Sequence, residues 1–336
     1  MPDHVLIPTN DAAARDAKIA YAVSANTQLP GTDFLTRQRA FLAAATADNT
    51  RRAYRSALHH FFNWGGALPA DEGMLLRYLL AHAETLNPRT LALRLTALSQ
   101  WHLHQGFMDP AATPTVRKTL AGITRTHGRP ARKAAALTLA DLERIVAHLA
   151  GLGTLTAHRD NALLQLAFFG AMRRSEVVRL TLTHLRWEPQ GILILLTRSK
   201  TDQLGSGIHK AIPYGDALCC PATALRGWIG AGGITQGPLF RSISKWGALG
   251  TTHLHAGSVN TILANCARQA GVPIAATLSS HSLRRGLATS AYRAGASLRD
   301  IKRQGGWRHD ATVQGYIDDA DRFDDSAAAP LLRKNR

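Results

Sequence analysis

The feature that most constrains the fold is a break in the chain at residues 126–136, THGRPARKAAA, which is basic and contains Gly and Pro. Helical apolar periodicity stops before this segment and resumes after it, as expected of a linker between two domains. A length of 336 residues also suits two domains, since single domains usually hold about 100–200 residues. We therefore expect domains at 31–125 and 137–317, a loose N-terminal segment at 1–30 and a C-terminal tail at 318–336.

The domain at 31–125 is predicted to be all-helical, because its apolar residues recur at helical spacing. Leu91, Leu95 and Leu98 share one face of a segment that Asn87-Pro88 opens and Gly106 closes. These flanking residues are typical of helix starts and stops. The helices of this domain are expected at about 50–64, 71–83, 88–104 and 114–124.

The domain at 137–317 is predicted to be mostly helical with a small antiparallel β-sheet. Residues 191–197 (GILILLT) and 209–214 (HKAIPY) are typical of strands, and a turn-rich segment separates them. A capping-box pattern at Thr138 and Asp141 opens the first helix, which ends near Leu149. Further helices are expected at about 159–169, 221–229, 256–270, 280–294, 297–304 and 309–317. The predicted fold class is therefore mainly α.

Positive charge indicates the kind of partner. The chain has 40 Lys and Arg against 23 Asp and Glu, a formal net charge of +17. The excess lies between residues 51 and 317, in both predicted domains, while the two ends are close to neutral. Two basic domains on one chain can hold a duplex between them, and nucleic acid is the usual polyanion partner of such a protein.

Several protein classes are disfavoured by what the sequence lacks. Three cysteines without a CxxC pair make no disulfide framework, and no export signal or membrane span is visible, so we expect a cytoplasmic protein associated with the nucleoid. The sequence contains no GxxxxGK[ST], HExxH or GxSxG motif. Phosphoryl transfer without a metal needs an activated nucleophile, cationic donors for the phosphate and an acid for the leaving oxygen.

Four segments carry side chains that could supply these parts. They are GAMRRSE with Arg173 and Glu176, RSKT with Lys200, HSLR with His281 and Arg284, and GGW with Trp307, followed nine residues later by Tyr316. Each alone also has a structural explanation: a half-buried tyrosine, a solvated lysine, a core tryptophan or an arginine paired with a glutamate. The order and the spacing of the whole set are more specific to one function than any single segment.

This set resembles the tyrosine recombinase (phage integrase) family over about residues 40–317. The most specific stretch is HSLRRG…RAGASLRDIKRQGGWRHDATVQGYI, and TADNTRRAYRSALHHFFNWG is similar to the family's N-terminal domain. Cre-like recombinases are the closest group, since Gly-Gly-Trp stands where most members have Gly-His. The resemblance implies a site-specific DNA recombinase with a core-binding domain that clamps DNA at 31–125 and a catalytic domain at 137–317.

The resemblance also implies roles for single residues. Tyr316 matches the nucleophile that forms a 3′-phosphotyrosyl link, and Arg173 and Arg284 match the pair that grips the non-bridging phosphate oxygens. His281 matches the residue that hydrogen-bonds the phosphate and can take the tyrosine proton. Guanidinium suits the phosphate because its planar fork makes paired hydrogen bonds and stays charged.

Three further positions support the reaction in this resemblance. Lys200 matches the general acid for the 5′ oxygen, and Glu176 matches an acidic residue that orients its neighbours. Trp307 stands where a histidine is more common; its indole N–H can donate to phosphate but cannot shuttle a proton. Three of these assignments have a neighbouring rival. Arg174 and Arg285 follow the two arginines, although the patterns R-x-S-E and H-x-L-R favour the first of each pair, and Lys210 lies on the strand after Lys200.

Partners follow from the same resemblance. The expected partner is double-stranded DNA with an inverted-repeat site, bound by a homo-tetramer that needs no cofactor or metal. Leu331 and Leu332 in the tail are candidate anchors on a neighbouring protomer, against the alternative of a frayed terminus. Candidate DNA contacts in the first domain are Arg51, Arg52, Arg55, Arg89 and Arg94.

Two other functions remain open at this stage. A DNA-binding protein of the same fold without catalysis is disfavoured by the complete set of candidate catalytic residues. A type IB topoisomerase, which relaxes supercoils by similar chemistry, is disfavoured by the core-binding domain and the tail.

Overall fold

A computed structural model of the chain describes residues 36–37, 41, 45–130, 133–197, 207–215, 218–321 and 328. The chain divides into two compact units, Met1–Ala131 and Arg132–Arg336. The division falls inside the basic segment 126–136.

The described part of the first unit is helical. Capping side chains define the helix starts: Asp71 accepts a hydrogen bond from the Met74 N–H at 2.6 Å, and Asn87 accepts one from the Arg89 N–H at 2.9 Å. The third helix ends at Gly106, which has a left-handed φ of 77°, as helix ends commonly do. The helices are α1 Asp48–Asn63, α2 Glu72–His82, α3 Pro88–Gln105 and α4 Pro114–His127.

Apolar residues at helical spacing form the core of the first unit. Leu91 and Leu98 of α3 are fully buried, with Leu95 nearly so, and they pack with Phe61 of α1 and Leu75 of α2. The predicted apolar face of α3 is therefore confirmed. The last helix, α4, reaches His127 and so extends two residues into the segment predicted as a linker.

The second unit is also mainly helical and contains two small antiparallel sheets, which confirms the predicted fold class. Strands β1 Leu185–Glu188, β2 Gly191–Leu196 and β3 Ile208–Pro213 form one sheet in the order β1-β2-β3. Strands β4 Arg241–Ile243 and β5 Leu249–His253 form a hairpin. The helices are α5 Leu139–Leu152, α6 Leu155–Phe169, α7 Arg174–Val178, α8 Pro221–Ala231, α9 Ser258–Gln269, α10 Ser280–Arg293, α11 Leu298–Gly305 and α12 Asp310–Asp321.

Strands β1, β4 and β5 were not expected from the sequence. Strands β4 and β5, of three and five residues, carry no period-2 apolar alternation. Strand β1 alternates apolar and polar residues, but over only four residues, which is the lower limit for a strand signal. Their order comes from backbone pairing with a neighbouring strand, as in the register of Trp187 opposite Ile192.

Helix α6 is the centre of the second unit. Every residue from 162 to 168 is buried, and a helix that is buried on all sides belongs in a core. Helix α10 lies very close to the segment before α5 at Gly286, where a Cβ atom would stand 1.9 Å from the carbonyl oxygen of Leu137. The backbone N–H of Leu137 also donates to the Ser282 carbonyl at 3.1 Å. Because Gly286 has no side chain, α10 can pack directly against the chain segment that precedes α5.

A separate apolar cluster joins the turn after α6 to the last three helices. Its buried members are Ala171, Ala288, Ile301, Trp307, Val313 and Ile317, and Tyr316 packs against them. This cluster sets where α10, α11 and α12 lie relative to one another, and most of the predicted site residues stand around it. Among the described residues, no helix is long and apolar enough to cross a membrane.

Candidate active site

The turn after α6 supplies the first part of the site. Ala171 has a φ of 44°, a left-handed conformation that is uncommon for a residue other than glycine. Its N–H donates to the Phe168 carbonyl at 2.8 Å, and the Met172 N–H donates to the Ala167 carbonyl at 2.9 Å. These bonds hold the turn, and the carbonyl of Ala171 accepts a hydrogen bond from Nη1 of Arg284.

Glu176 orients Arg173 through two hydrogen bonds. One carboxylate oxygen accepts from the Arg173 backbone N–H at 2.8 Å, and the other accepts from Nη1 of the guanidinium at 2.6 Å. The Glu176 side chain is 4% exposed and that of Arg173 is 24% exposed. Arg173 is thus held by a buried carboxylate while its own side chain is partly exposed. The adjacent Arg174 is exposed.

Arg284 is a buried cation held by backbone carbonyls. It is 5% exposed, and besides the bond to Ala171 its Nη2 donates to the Gly305 carbonyl at 3.0 Å. Its guanidinium carbon lies 4.7 Å from the centre of the Trp307 ring. Burial, with a smaller effect from Arg173, lowers the pKa of Arg284 to about 10, so the group is still a cation at neutral pH.

The neighbouring Arg285 also faces the site. Its guanidinium carbon lies 5.1 Å from the centre of the Tyr316 ring, within the range of a cation–π contact. Tyr316 lies on α12 between the buried Val313 and Ile317 and is itself half-buried. The sequence pattern favoured Arg284 over Arg285 for the site. The structure brings both to it, with Arg284 at Trp307 and Arg285 at Tyr316.

Trp307 follows the end of α11. Gly306 closes the helix with a left-handed φ of 65°, and the Trp307 N–H donates to the Lys302 carbonyl at 3.1 Å. The indole is 9% exposed and meets the Tyr316 ring edge-on, with 6.0 Å between the ring centres. Trp307 is therefore both a core residue of this cluster and a neighbour of Arg284 and Tyr316.

His281 is the second residue of α10 and is exposed. Its backbone N–H donates to the hydroxyl of Ser279 at 3.3 Å, which caps the helix. Arg284 lies three residues further along the same helix, so the two side chains are on neighbouring positions of one face. The site thus has an exposed imidazole at a helix N-terminus, where anions are stabilised, and a buried guanidinium one turn below.

The two candidate lysines differ in their placement. Lys200 lies outside the described residues. Lys210 on β3 is 3% exposed, and its ammonium donates to the carbonyl of Gln304 in α11. Burial, and then Arg284, lower the pKa of Lys210 to about 8, although Glu176 favours the charged form. Sequence reasoning named Lys210 only as a rival of Lys200; the alternation Ile208, Lys210, Ile212 was the signal that it points inward.

The candidate DNA contacts of the first unit fall into two groups. Arg52, Arg55 and Arg89 are exposed, and the half-exposed Arg51 pairs with Asp48. Arg94 is half-buried instead. Its Nη1 lies 2.7 Å from Nδ1 of His60 and donates to the hydroxyl of the buried Tyr78 at 3.3 Å. The structure therefore ties Arg94 into an internal polar cluster. Leu331 and Leu332 of the tail lie outside the described residues.

Comparison with known proteins gives the family of the chain. Residues 135–322 match the phage integrase family. The chain is 34% identical to the "Integrase/recombinase xerD homolog" of Selenomonas ruminantium over 87% of its own length and 88% of that protein. It is 26% identical to "Recombinase cre" of Escherichia phage P1 over 77% and 78% of the two chains. The likeness to Cre is the weaker of these two by identity.

The fold is also similar to that of a solved recombinase. The structure of the XerH site-specific recombinase in a post-cleavage complex with its palindromic difH substrate shares the fold with a TM-score of 0.58. The match covers 83% of this chain and 80% of that one at 17% identity. Because residues 135–322 match the family and the chain is 34% identical to a relative over 87% of its length, it belongs to the phage integrase family and is a tyrosine recombinase, an enzyme that breaks and rejoins DNA.

Proposed function

We propose that this chain is a site-specific recombinase that cuts and rejoins DNA through a phosphotyrosyl bond to Tyr316. The observation that carries the proposal is the convergence of Arg284, Arg285, Trp307 and Tyr316 around one apolar cluster of the second unit. Arg173 lies close enough to Arg284 to lower its pKa. A phenol beside two guanidinium groups suits attack on a phosphodiester, because the cations stabilise the charge that develops on the phosphate oxygens.

In the proposed reaction, one phosphate ester is exchanged for another at the same phosphorus atom. The phenolic oxygen of Tyr316 forms a bond to phosphorus, the bond from phosphorus to the 5′ oxygen breaks, and a 3′-phosphotyrosyl link remains. His281 would accept the proton from the phenol, and Lys200 would give a proton to the 5′ oxygen. The reverse attack by a 5′ hydroxyl rejoins the strand, and because one phosphate ester replaces another, no ATP is needed.

Arg173 and Arg284 would bind the non-bridging oxygens of the phosphate. Glu176 holds Arg173 at its backbone and at one guanidinium nitrogen, which leaves the rest of the fork for a ligand. The indole of Trp307 would donate a hydrogen bond to the same phosphate. Since indole is a donor only and does not ionise at ordinary pH, its contribution would be a hydrogen bond without acid–base catalysis.

The first unit would clamp the DNA. Exposed arginines near the starts of α1 and α3, namely Arg52, Arg55 and Arg89, are suited to phosphate contacts, and Arg51 lies beside them on α1. Arg94 would act indirectly by holding His60 and Tyr78 in the interior.

The assembly we propose is a tetramer on two inverted-repeat sites, with the tail of each protomer on its neighbour. The palindromic substrate of the solved XerH complex supports the inverted-repeat site, and the relatives named as recombinases support strand exchange between two sites. Integration, excision and resolution of a mobile element all use this chemistry. The protein would work at the nucleoid in the cytoplasm, in keeping with the free thiols of Cys219, Cys220 and Cys266.

Covalent capture tests the proposal. Purified protein is incubated with fragments of the DNA that flanks its own gene, each nicked next to candidate sites so that the cleaved end diffuses away. After denaturation, we expect DNA linked to the wild-type chain at one inverted repeat. Tyr316→Phe should bind the same fragment and form no link. A link that survives in Tyr316→Phe refutes the nucleophile; tight binding without any link favours a DNA-binding protein without catalysis.

A further inference from the structure

Lys210 is a buried cation that the proposed reaction does not use. On β3 its neighbours on the inward face are Ile208 and Ile212, and it stands opposite Ile194 of β2. A charged group on a buried strand face is costly unless its hydrogen-bonding partners are present. Its partners therefore indicate what the residue does.

The ammonium of Lys210 caps the end of α11. It donates to the carbonyl of Gln304, and the next carbonyl, that of Gly305, accepts from Nη2 of Arg284 at 3.0 Å. The last carbonyls of a helix have no donor within the helix, and cations are favourable at that end of the helix dipole. Lys210 and Arg284 thus share the carboxyl end of one helix.

The side chain of Gln304 strengthens the same junction. Its amide nitrogen donates to the Phe169 carbonyl at the end of α6 at 2.8 Å and to the Ala211 carbonyl of β3 at 3.3 Å. Ala211 is the residue after Lys210. Hydrogen bonds therefore connect the end of α11 to β3 and to α6, directly before the turn that contains Trp307.

Charged groups from two other elements face Lys210. Arg284 of α10 and Arg173 before α7 disfavour its charged form, and Glu176 of α7 favours it. A phosphodiester bound between the two arginines would add a negative charge beside this set. DNA binding would then favour the protonated lysine and tighten the cap on α11.

We propose that Lys210 is a positioning residue of the recombinase site, whose ammonium holds the end of α11 so that Trp307 and Arg284 keep their places at the phosphate. This inference rests on the proposed function, in which those two residues bind the scissile phosphate. It differs from the role of general acid, which the proposed function gives to Lys200.

The first arm of the test needs no DNA. The indole N–H signal of Trp307 is identified in a heteronuclear NMR spectrum by its loss in Trp307→Phe. Lys210→Met should shift or broaden this signal, whereas the control Arg303→Met, which removes a 75% exposed charge from the same helix, should leave it unchanged. In the wild type the signal should change with pH near 8, and in Lys210→Arg it should not. An unchanged Trp307 signal in Lys210→Met overturns the inference.

The second arm measures covalent linkage to a nicked site with oxygen or with sulfur at the 5′ bridging position. A thiolate leaves without a proton, so sulfur rescues the loss of a general acid and not the loss of positioning. Lys210→Met should link on the order of 10- to 100-fold more slowly on both substrates, because small misplacements are that costly, and Lys210→Arg should retain part of the rate. Thermal unfolding confirms that the variants are folded.

The outcomes separate the two proposals. Rescue of Lys210→Met by sulfur would make Lys210 the general acid and overturn its positioning role, as would an unchanged rate on both substrates. If the wild-type chain forms no link with any DNA, the recombinase proposal fails, and the NMR arm still decides whether Lys210 positions Trp307.

Discussion

The indole of Trp307 lies directly on the backbone of Gly305: a Cβ atom at position 305 would stand 1.8 Å from the ring. Glycine at position 305 therefore leaves the space that the Trp307 indole occupies. Gly305→Ala should displace the indole and lower the free energy of unfolding by about 1–3 kcal/mol, as overpacking does, with slower covalent linkage to DNA. The control is Gly230→Ala in α8, where no atom lies within 4 Å of a Cβ and φ is not left-handed, so no loss is expected. Urea unfolding of both variants checks this; equal losses would show that the ring contact is unimportant.

Removing the carboxylate of Glu176 should loosen Arg173. In Glu176→Gln the amide can accept only one of the two hydrogen bonds that Arg173 donates, so we expect a loss of about 1–3 kcal/mol in stability and a lower rate of linkage. Glu188→Gln, which breaks an exposed pair with Arg186, should cost about 0–1 kcal/mol. Chemical denaturation and covalent capture measure the two effects. A Glu176→Gln variant as active as the wild type would contradict the orienting role.

The indole N–H of Trp307 can be tested apart from its packing. Trp307→Phe keeps an aromatic ring in the cluster and removes the donor. We expect a stability loss of about 1–3 kcal/mol, because the smaller ring leaves a gap in the cluster, and a rate of linkage lower by about 10²-fold, the usual effect of losing one transition-state donor. Trp246→Phe, at a position that is 84% exposed, is the control and should match the wild type. Unchanged linkage in Trp307→Phe would restrict Trp307 to a packing role.

Arg285 should support the nucleophile through its contact with the Tyr316 ring. Arg285→Met keeps the apolar stem and removes the guanidinium. A cation–π contact in a buried place contributes up to about 2 kcal/mol, so linkage should slow by up to roughly 30-fold, while Arg285→Lys should be affected less. Arg293→Met, at the exposed end of the same helix, serves as the matched control. The measurement is the single-turnover rate of covalent linkage to DNA. Equal rates for Arg285→Met and Arg293→Met would show that Arg285 does not support the nucleophile.

Stability should depend on pH through Lys210. Its pKa is lowered from 10.5 to about 8 in the folded chain, so between these values the unfolded chain binds more protons. The free energy of unfolding therefore rises as pH increases from about 8 to 10.5. Lys210→Met removes this contribution, so the difference in stability between wild type and variant should change by a few kcal/mol over that window. Urea titrations below, within and at the upper end of this window, at about pH 7, 9 and 10.5, measure it; a constant difference would refute the low pKa.

Much of the fold could be predicted because its signals are local. Asn87, Thr113 and Thr138 cap helices where the sequence placed helix starts, since a cap needs only a side chain and an N–H two or three residues away. The short strands of the β4–β5 hairpin could not be predicted in this way, because their pairing involves no apolar pattern within the strand.

The sequence by itself determined the helical character of both units, the order of the candidate residues and the likeness to tyrosine recombinases, because periodicity, caps and motif spacing are all read along the chain. Only the tertiary structure decided that Lys210 reaches Gln304, 94 residues away, that Arg285 faces Tyr316 and that Arg94 turns inward to Tyr78. The physical reason is that such contacts depend on how helices and strands pack, and packing is set by the whole core.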